Sequence, residues 1–186
     1  MWGIDRRIMP APGKTLEADI RDALNAIGAW HHNFENTGVT RHKDKALRPA
    51  DKIACIDGPA LLIECKENAS QNRLDFDELR PHQQTNLYCL AGRRGEAVIA
   101  TSFKERRRWR TFLIWYTDWA HLKRTTKAAS LSLVDGQRSD RFVELKKVEV
   151  PHIGRVWDLE SGVRELRALG AAPLYHLSPQ QERRGF

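Results

Sequence analysis

Two carboxylates and one ammonium group stand close together in this sequence, on Asp51, Glu64 and Lys66. The two acids are suited to share a divalent cation, because Mg²⁺ is usually held by one or two carboxylates and keeps several waters. Such an ion polarises a phosphate and helps to generate hydroxide, and a neighbouring lysine can hold the attacking water. These residue types predict metal-assisted hydrolysis of a phosphate ester, provided that the fold brings the three side chains together.

A β-hairpin is predicted around these residues. The apolar runs 50–56 and 60–67 are separated by Asp57-Gly58-Pro59, and an Asp-Gly pair between two such runs is a strong hairpin signal. We expect the turn to consist of Asp57 and Gly58. Glu64 follows an apolar stretch typical of a strand buried on both faces, so its carboxylate needs a partner.

The register of this hairpin decides whether the acids meet. A two-residue turn sets Asp51 opposite Glu64, with Cβ atoms about 5 Å apart on the same face of the strand pair. Side chains alternate along a strand, so Lys66 lies on that face and Cys65 on the other. A three-residue loop would set Asp51 opposite Cys65 and separate the acids, so the hypothesis depends on the register.

An amphipathic helix is predicted over residues 15–29, where Leu16, Ile20 and Leu24 recur at the spacing of one helix face. Glu17 lies at the margin of that buried face. Its carboxylate either complements the helix dipole in the first turn or contributes to the site.

The rest of the chain alternates between strand and helix patterns, which indicates a single α/β domain at residues 1–170. Residues 171–186 are predicted to be a flexible tail. The other expected elements are a strand at 29–34, a helix at 79–91, strands at 96–101 and 109–116, a short helix at 118–124, a strand at 142–150 and a helix at 158–169.

The composition, with 41% hydrophobic and 30% charged residues, is that of a soluble globular protein and excludes general disorder. The formal charge of +7 favours a polyanionic partner. Three cysteines without a CxxC pair indicate neither a disulfide framework nor a zinc ribbon. The sequence has no secretory signal and no stretch apolar enough to span a membrane, so a cytoplasmic location without membrane contact is expected.

Two basic segments are candidates for contact with phosphates. Such a segment usually forms a solvated turn, but the second, residues 104–110, holds five cations in seven residues around Trp109. Cations of this kind add salt-dependent affinity for DNA without reading bases. Trp109 is a candidate to stack on an unpaired base, although core packing is the simpler interpretation. The DNA-binding candidates are Arg41, Lys43, Lys45 and Arg48 in the first segment, and Arg106, Arg107 and Arg108 in the second.

The order of these motifs resembles the PD-(D/E)xK nuclease superfamily, in which an acidic residue and a hairpin precede Glu-x-Lys. Here the pattern reads Asp51 followed by Glu64-Cys65-Lys66. The thirteen-residue gap, the upstream helix with Glu17 and the downstream pair His82-Gln83 are similar to the RecU-type Holliday junction resolvases. The resemblance spans residues 13–103.

This resemblance implies a restriction-endonuclease-like fold, a mixed β-sheet of about five strands flanked by helices. It implies that Asp51, Glu64 and the carbonyl of Cys65 bind Mg²⁺, or alternatively Mn²⁺, and that Lys66 serves the nucleophilic water. Glu17 would complete the acidic set, and Gln83 would support the site or contact the phosphate backbone. The implied substrate is branched DNA, most specifically a four-way junction cut by a homodimer.

Two features depart from the family pattern. Ala50 separates Pro49 from Asp51, and Glu67-Asn68 follows Lys66 where a small hydroxyl residue is expected. The second departure leaves the substrate subtype open, and an endonuclease acting on linear duplex DNA is the alternative within the same chemistry. A separate alternative is a non-catalytic DNA-binding protein that keeps the basic surface and uses its carboxylates structurally. The adjacent His31 and His32 point to opposite faces of a strand, so they cannot readily bind one ion together.

Overall fold

The computed structural model describes residues 14–34, 49–68, 73–93, 95–105, 108–126 and 128–170. Five α-helices and ten strands alternate along these ranges, with a 3-10 turn at Phe76–Glu78. In chain order they are α1 (Lys14–Ala26), β1 (Trp30–Asn33), β2 (Lys52–Cys55), β3 (Ala60–Asn68), β4 (Arg73–Asp75), α2 (Pro81–Gly92), β5 (Glu96–Glu105), β6 (Arg108–Trp115), α3 (Tyr116–Thr125), β7 (Ser130–Ser132), α4 (Leu133–Arg138), β8 (Phe142–Glu144), β9 (Lys147–Val150), β10 (Gly154–Trp157) and α5 (Leu159–Leu169).

Six of the strands form one mixed sheet in the order β1-β2-β3-β5-β6-β8. The central pair, β3 and β5, is parallel, and the other neighbours are antiparallel. The crossover between β3 and β5 contains α2, as parallel neighbours require. Two small antiparallel pairs, β4 with β7 and β9 with β10, lie outside this sheet.

Helices cover both faces of the sheet because its central strands are apolar on both sides. One face buries Ile63 and Val98 under α1 and α5, which contribute Leu24 and Leu166. The other buries Leu62, Ile99 and Phe112 under α2 and α3, which contribute Leu87 and Trp119. The result is a three-layer α/β/α arrangement with two hydrophobic cores.

The expected α/β class, a mixed β-sheet flanked by helices, is confirmed, and it is consistent with the expected restriction-endonuclease-like fold. The sheet has six strands where about five were expected. No helix in the described part of the chain is long and apolar enough to cross a membrane. The predicted tail at 171–186 and the first basic segment lie outside the described residues.

Two sequence predictions were wrong in detail. The expected strand at 142–150 is two strands, because β8 pairs with β6 whereas β9 pairs with β10. Between them the Leu145 side chain turns into the core, where it is only 3% exposed. The loop of the β2–β3 hairpin has four residues, since pairing ends at Cys55 and Ala60. Pro59 lacks an N–H to extend the ladder, and the Ile56 carbonyl instead accepts from Arg167 Nη1 at 2.6 Å.

Candidate active site

The predicted register of the β2–β3 hairpin is confirmed. Lys52 pairs with Ile63, and Ile53 pairs with Leu62. The next step of this antiparallel register sets Asp51 opposite Glu64. The longer loop left the register unchanged, and the alternative that placed Asp51 opposite Cys65 is excluded.

Asp51 lies immediately before β2, where the chain enters the sheet. Its carboxylate takes the place of a strand partner, because Asp51 Oδ2 accepts a hydrogen bond from the backbone N–H of Cys65 at 2.8 Å. The N–H and C=O of one strand residue point to the same edge. The Cys65 carbonyl therefore lies on the edge of β3 that faces Asp51, and Asp51 itself is only 6% exposed.

Glu64 is fully buried in the middle of β3. Two cationic or polar groups hold the same carboxylate oxygen: Lys66 Nζ lies 2.7 Å from Glu64 Oε1, and Gln83 Nε2 donates to it at 2.5 Å. A buried carboxylate is costly unless it is paired and hydrogen-bonded. This pairing satisfies the requirement predicted for Glu64, and it also confirms that Lys66 lies on the Glu64 face.

Gln83 joins the second helix to β3. Its side-chain oxygen Oε1 accepts from Lys66 Nζ at 3.2 Å and from the backbone N–H of Arg80 at 3.1 Å, while its amide nitrogen donates to Glu64. Pro81 begins α2 and suits its first position, because proline has no N–H to leave unsatisfied there. The start of α2 therefore fixes the Gln83 amide between the carboxylate and the ammonium.

Glu17 approaches the same region from α1. Burial is the main reason that the pKa of the Cys65 thiol is well above its ordinary value, and the negative charges of Asp51, Glu64 and Glu17 raise it further. Leu16, the neighbour of Glu17, packs in the same core cluster as Cys65, and its N–H donates to Glu67 of β3. The structure thus brings Glu64, Lys66 and Gln83 into direct contact and sets Asp51 opposite Glu64 through the hairpin register. Glu17 lies beside the same strand.

The oxygen-rich composition of this region fits a hard divalent cation. Asp51, Glu64 and the Cys65 carbonyl would supply oxygen ligands, which Mg²⁺ prefers over nitrogen and sulfur. Within the ranges that the structure describes, no group of three or more His, Cys, Asp or Glu side chains is placed to hold a metal ion. Two carboxylates and one carbonyl would leave the remaining positions of a Mg²⁺ shell to waters.

The basic candidates are only partly described. Arg41, Lys43, Lys45, Arg48, Arg106 and Arg107 lie outside the described residues. Arg108 is exposed at the start of β6, opposite Glu105. Lys66 pairs with Thr101 in β5. The turn that joins β5 to β6 follows Glu105, four residues further along β5. This turn therefore projects from the same end of the sheet as Lys66.

Two other members of the second basic segment have local partners. Arg110 is bound by the carboxylate of Glu144, with Nε to Oε1 at 2.7 Å, and this hydrogen bond is the main reason that its pKa is raised. Lys104 Nζ lies 5.8 Å from the centre of the Trp109 ring. Arg110 is therefore held in an ion pair within the fold, whereas Arg108 is an exposed candidate for a phosphate contact.

Sequence reasoning missed two charged residues beside the site. Lys52 is 3% exposed, although it adjoins Asp51, and its ammonium donates to Asn33 Oδ1 at 3.0 Å. Glu67 accepts from the backbone N–H of Leu16 at 3.0 Å. The alternation of side chains along β3 indicates which face Glu67 occupies. Its partner Leu16, however, is 51 residues away, and no local pattern in the sequence indicates that contact.

No protein-family model and no curated protein matches this sequence. Among solved structures, the chain is similar to Hjc, a Holliday junction resolvase from the archaeal hyperthermophile Archaeoglobus fulgidus. The two chains are 18% identical, the similarity covers 81% of this chain and 99% of that chain, and the TM-score is 0.38. A likeness at this level assigns no function by itself.

Proposed function

We propose that this protein is a metal-dependent endonuclease that hydrolyses phosphodiester bonds in DNA. The observation that carries the proposal is the buried network of Glu64, Lys66 and Gln83, with Asp51 held opposite by the register of the hairpin. A carboxylate with zero exposure beside an ammonium and a second carboxylate is an unusual arrangement for a strand that has only to fold.

Asp51, Glu64 and the Cys65 carbonyl would hold the divalent ion, Mg²⁺ or Mn²⁺. When bound, such an ion polarises a phosphate oxygen and lowers the pKa of a coordinated water. The protein's own part is to fix these ligands. The Cys65 N–H orients the Asp51 carboxylate, and the Gln83 amide orients that of Glu64.

Lys66 would bind the attacking water and offset negative charge on the phosphate. Its ammonium is already held by Glu64 and Gln83, so little reorganisation is needed when substrate arrives. Glu17 would add negative charge from α1.

The preferred substrate is a four-way DNA junction, cut by a homodimer whose two sites make paired incisions. This finer assignment rests on the resemblance of the motif order to RecU-type resolvases. The exposed Arg108 and the overall charge of +7 are consistent with a polyanionic substrate of either kind. An endonuclease acting on linear duplex DNA is the alternative within the same chemistry.

A cleavage assay with two substrates of the same sequence tests both levels of the proposal. Purified protein is incubated with a synthetic four-way junction or with linear duplex, with Mg²⁺ omitted and then restored. We expect metal-dependent cutting of the junction in preference to the duplex. Equal cutting of both would eliminate the resolvase assignment but keep the nuclease.

Asp51→Asn and Glu64→Gln test the site itself. Each removes one negative charge while keeping the size of the side chain, so we expect cleavage to fall by at least about a hundredfold with DNA binding retained. Unchanged cleavage in both variants would mean that the activity comes from another site or a contaminant. Binding without any cleavage by the wild type would favour the non-catalytic DNA-binding protein.

A further inference from the structure

Successive residues of β3 face the two helical layers alternately. Lys66 points towards α2, where it contacts Gln83. Cys65 points towards α1, since it lies in the core cluster that contains Leu16 and Ile20 from that helix. Glu67 lies on the α1 face as well, because side chains two residues apart share a face.

The Glu67 carboxylate caps the first turn of α1. Its Oε2 accepts from the backbone N–H of Leu16 at 3.0 Å. Because α1 begins at Lys14, this N–H is among the first four of the helix, which have no acceptor within the helix. A carboxylate at this end is also favoured by the helix dipole. The start of α1 is therefore tied to β3 one residue beyond Lys66.

This contact fixes the neighbour of Leu16 in the chain, which is Glu17. The side chain of Leu16 is buried, with 2% exposure, so the turn is anchored by its core contact as well as by the hydrogen bond. Leu16 and Cys65 lie in the same core cluster, and the Leu16 N–H is bound to Glu67. Glu17, the next residue of α1, therefore lies beside the stretch of β3 that follows Glu64.

We propose that Glu67 is a positioning residue, which holds Glu17 close enough to strengthen divalent-cation binding at Asp51 and Glu64. The inference rests on the proposed function of that site. It also gives a structural role to the position after Glu-x-Lys, where this chain has an acid and a small hydroxyl residue was expected. A serine or threonine side chain is shorter than that of Glu67 and reaches less far towards the start of α1.

Mn²⁺ binding, measured without DNA from the electron paramagnetic resonance signal of the free ion, tests this role separately from cleavage. We expect Glu17→Gln and Glu67→Ala each to weaken Mn²⁺ binding about tenfold, because each removes the Glu17 charge from the neighbourhood of the ion. The double variant should bind no more weakly than Glu17→Gln alone, since both changes act through one carboxylate.

Glu67→Gln separates positioning from charge. Its amide oxygen can accept the same Leu16 N–H, so Mn²⁺ affinity should remain within about twofold of wild type. Glu67→Asp keeps the charge but shortens the side chain, and should lose affinity; it serves if the alanine variant does not fold. Asp22→Ala, which removes an exposed acid from the same helix, should leave the affinity unchanged.

Three results would overturn the positioning role alone. These are a Glu67→Ala variant with wild-type affinity, a Glu67→Gln variant as weak as Glu67→Ala, and a double variant in which the two losses multiply. A wild-type protein that binds no Mn²⁺ would overturn both this inference and the proposed metal site, so the two failures are distinguishable.

Discussion

At Glu64, a side chain that water would solvate well is instead completely buried, which costs free energy of folding. Removing a carboxylate from water costs several kcal/mol, of the order expected for an ion in a protein interior, unless nearby groups compensate it. Lys66 and Gln83 supply that compensation through a single carboxylate oxygen. The arrangement places a buried acid between an ammonium and an amide and opposite a second acid, and the proposed function of the site rests on it.

Cys65 lies between these acids, and its thiol should be unreactive. The side chain is 8% exposed, and burial together with the charges of Asp51, Glu64 and Glu17 raises its pKa, which disfavours the reactive thiolate. Cys55 and Cys89 are exposed. A chromogenic disulfide reagent at pH 8 should therefore modify two thiols of the native protein rapidly and the third at least about a hundredfold more slowly, because the third requires local opening.

The Cys55→Ser/Cys89→Ser variant is the matched control for this labelling. It should show almost no rapid reaction in the native state and one full equivalent in urea. Rapid modification of its remaining thiol would contradict the placement of Cys65 on the α1 face of β3.

Much of the site was predictable at this scale because its parts are close in sequence. The Asp-Gly signal and the apolar runs defined the hairpin register, so Asp51 could be set opposite Glu64 although the loop proved to be four residues long. The cap formed by Glu67 was not predictable. It joins residues far apart in the chain, and no local pattern indicates which helix end meets which strand.

At the scale of elements, α5 holds the far end of the hairpin that carries the site. Arg167 donates to both carboxylate oxygens of Glu96, at 2.8 and 2.7 Å, and to the carbonyls of Ile56 and Asp57. The hydrogen bond with Glu96 is the main reason that the pKa of Arg167 is raised. One side chain thus joins α5, the hairpin loop and the start of β5.

Arg167→Ala should destabilise the fold by about 2–4 kcal/mol, because it leaves a partly buried carboxylate and two carbonyls without their donor. Urea denaturation measures this change. Arg164→Ala on the same helix is the matched control, since Arg164 is 70% exposed and its ion pair with Glu160 lies across one turn of the helix. That variant should lose no more than about 0.5 kcal/mol, and equal losses in the two variants would contradict a specific role for Arg167.

The order of the sheet was less predictable than its strands. Most long strands and helices were identified from periodicity, but the pairing of β9 with β10 instead of with the main sheet depends on tertiary packing. The short elements β4, β7 and α4 contain three to six residues each. Segments of that length carry too few apolar positions to establish a period.

At the scale of the whole molecule, the positive charge is the property that bears on the substrate. The formal charge of +7 is a sum over all cations and anions, and it does not show which cations are paired within the fold, as Arg110 is with Glu144 and Arg167 with Glu96. Exposed cations on the site end of the sheet therefore matter more than the total. Among the described residues of the second basic segment, Arg108 is the exposed arginine at that end.

Arg108→Ala should weaken binding to a four-way junction and to linear duplex by similar factors, because a phosphate contact carries no sequence or branch information. Fluorescence anisotropy over a range of salt concentrations, with Mg²⁺ omitted, measures this change. The slope of log affinity against log salt concentration should become shallower by about one unit, as expected when one phosphate contact is lost. Arg164→Ala removes an equal charge from α5, and its slope should match that of the wild type. If both variants change the slope equally, DNA responds to net charge alone and the β5–β6 hairpin is not part of the binding surface.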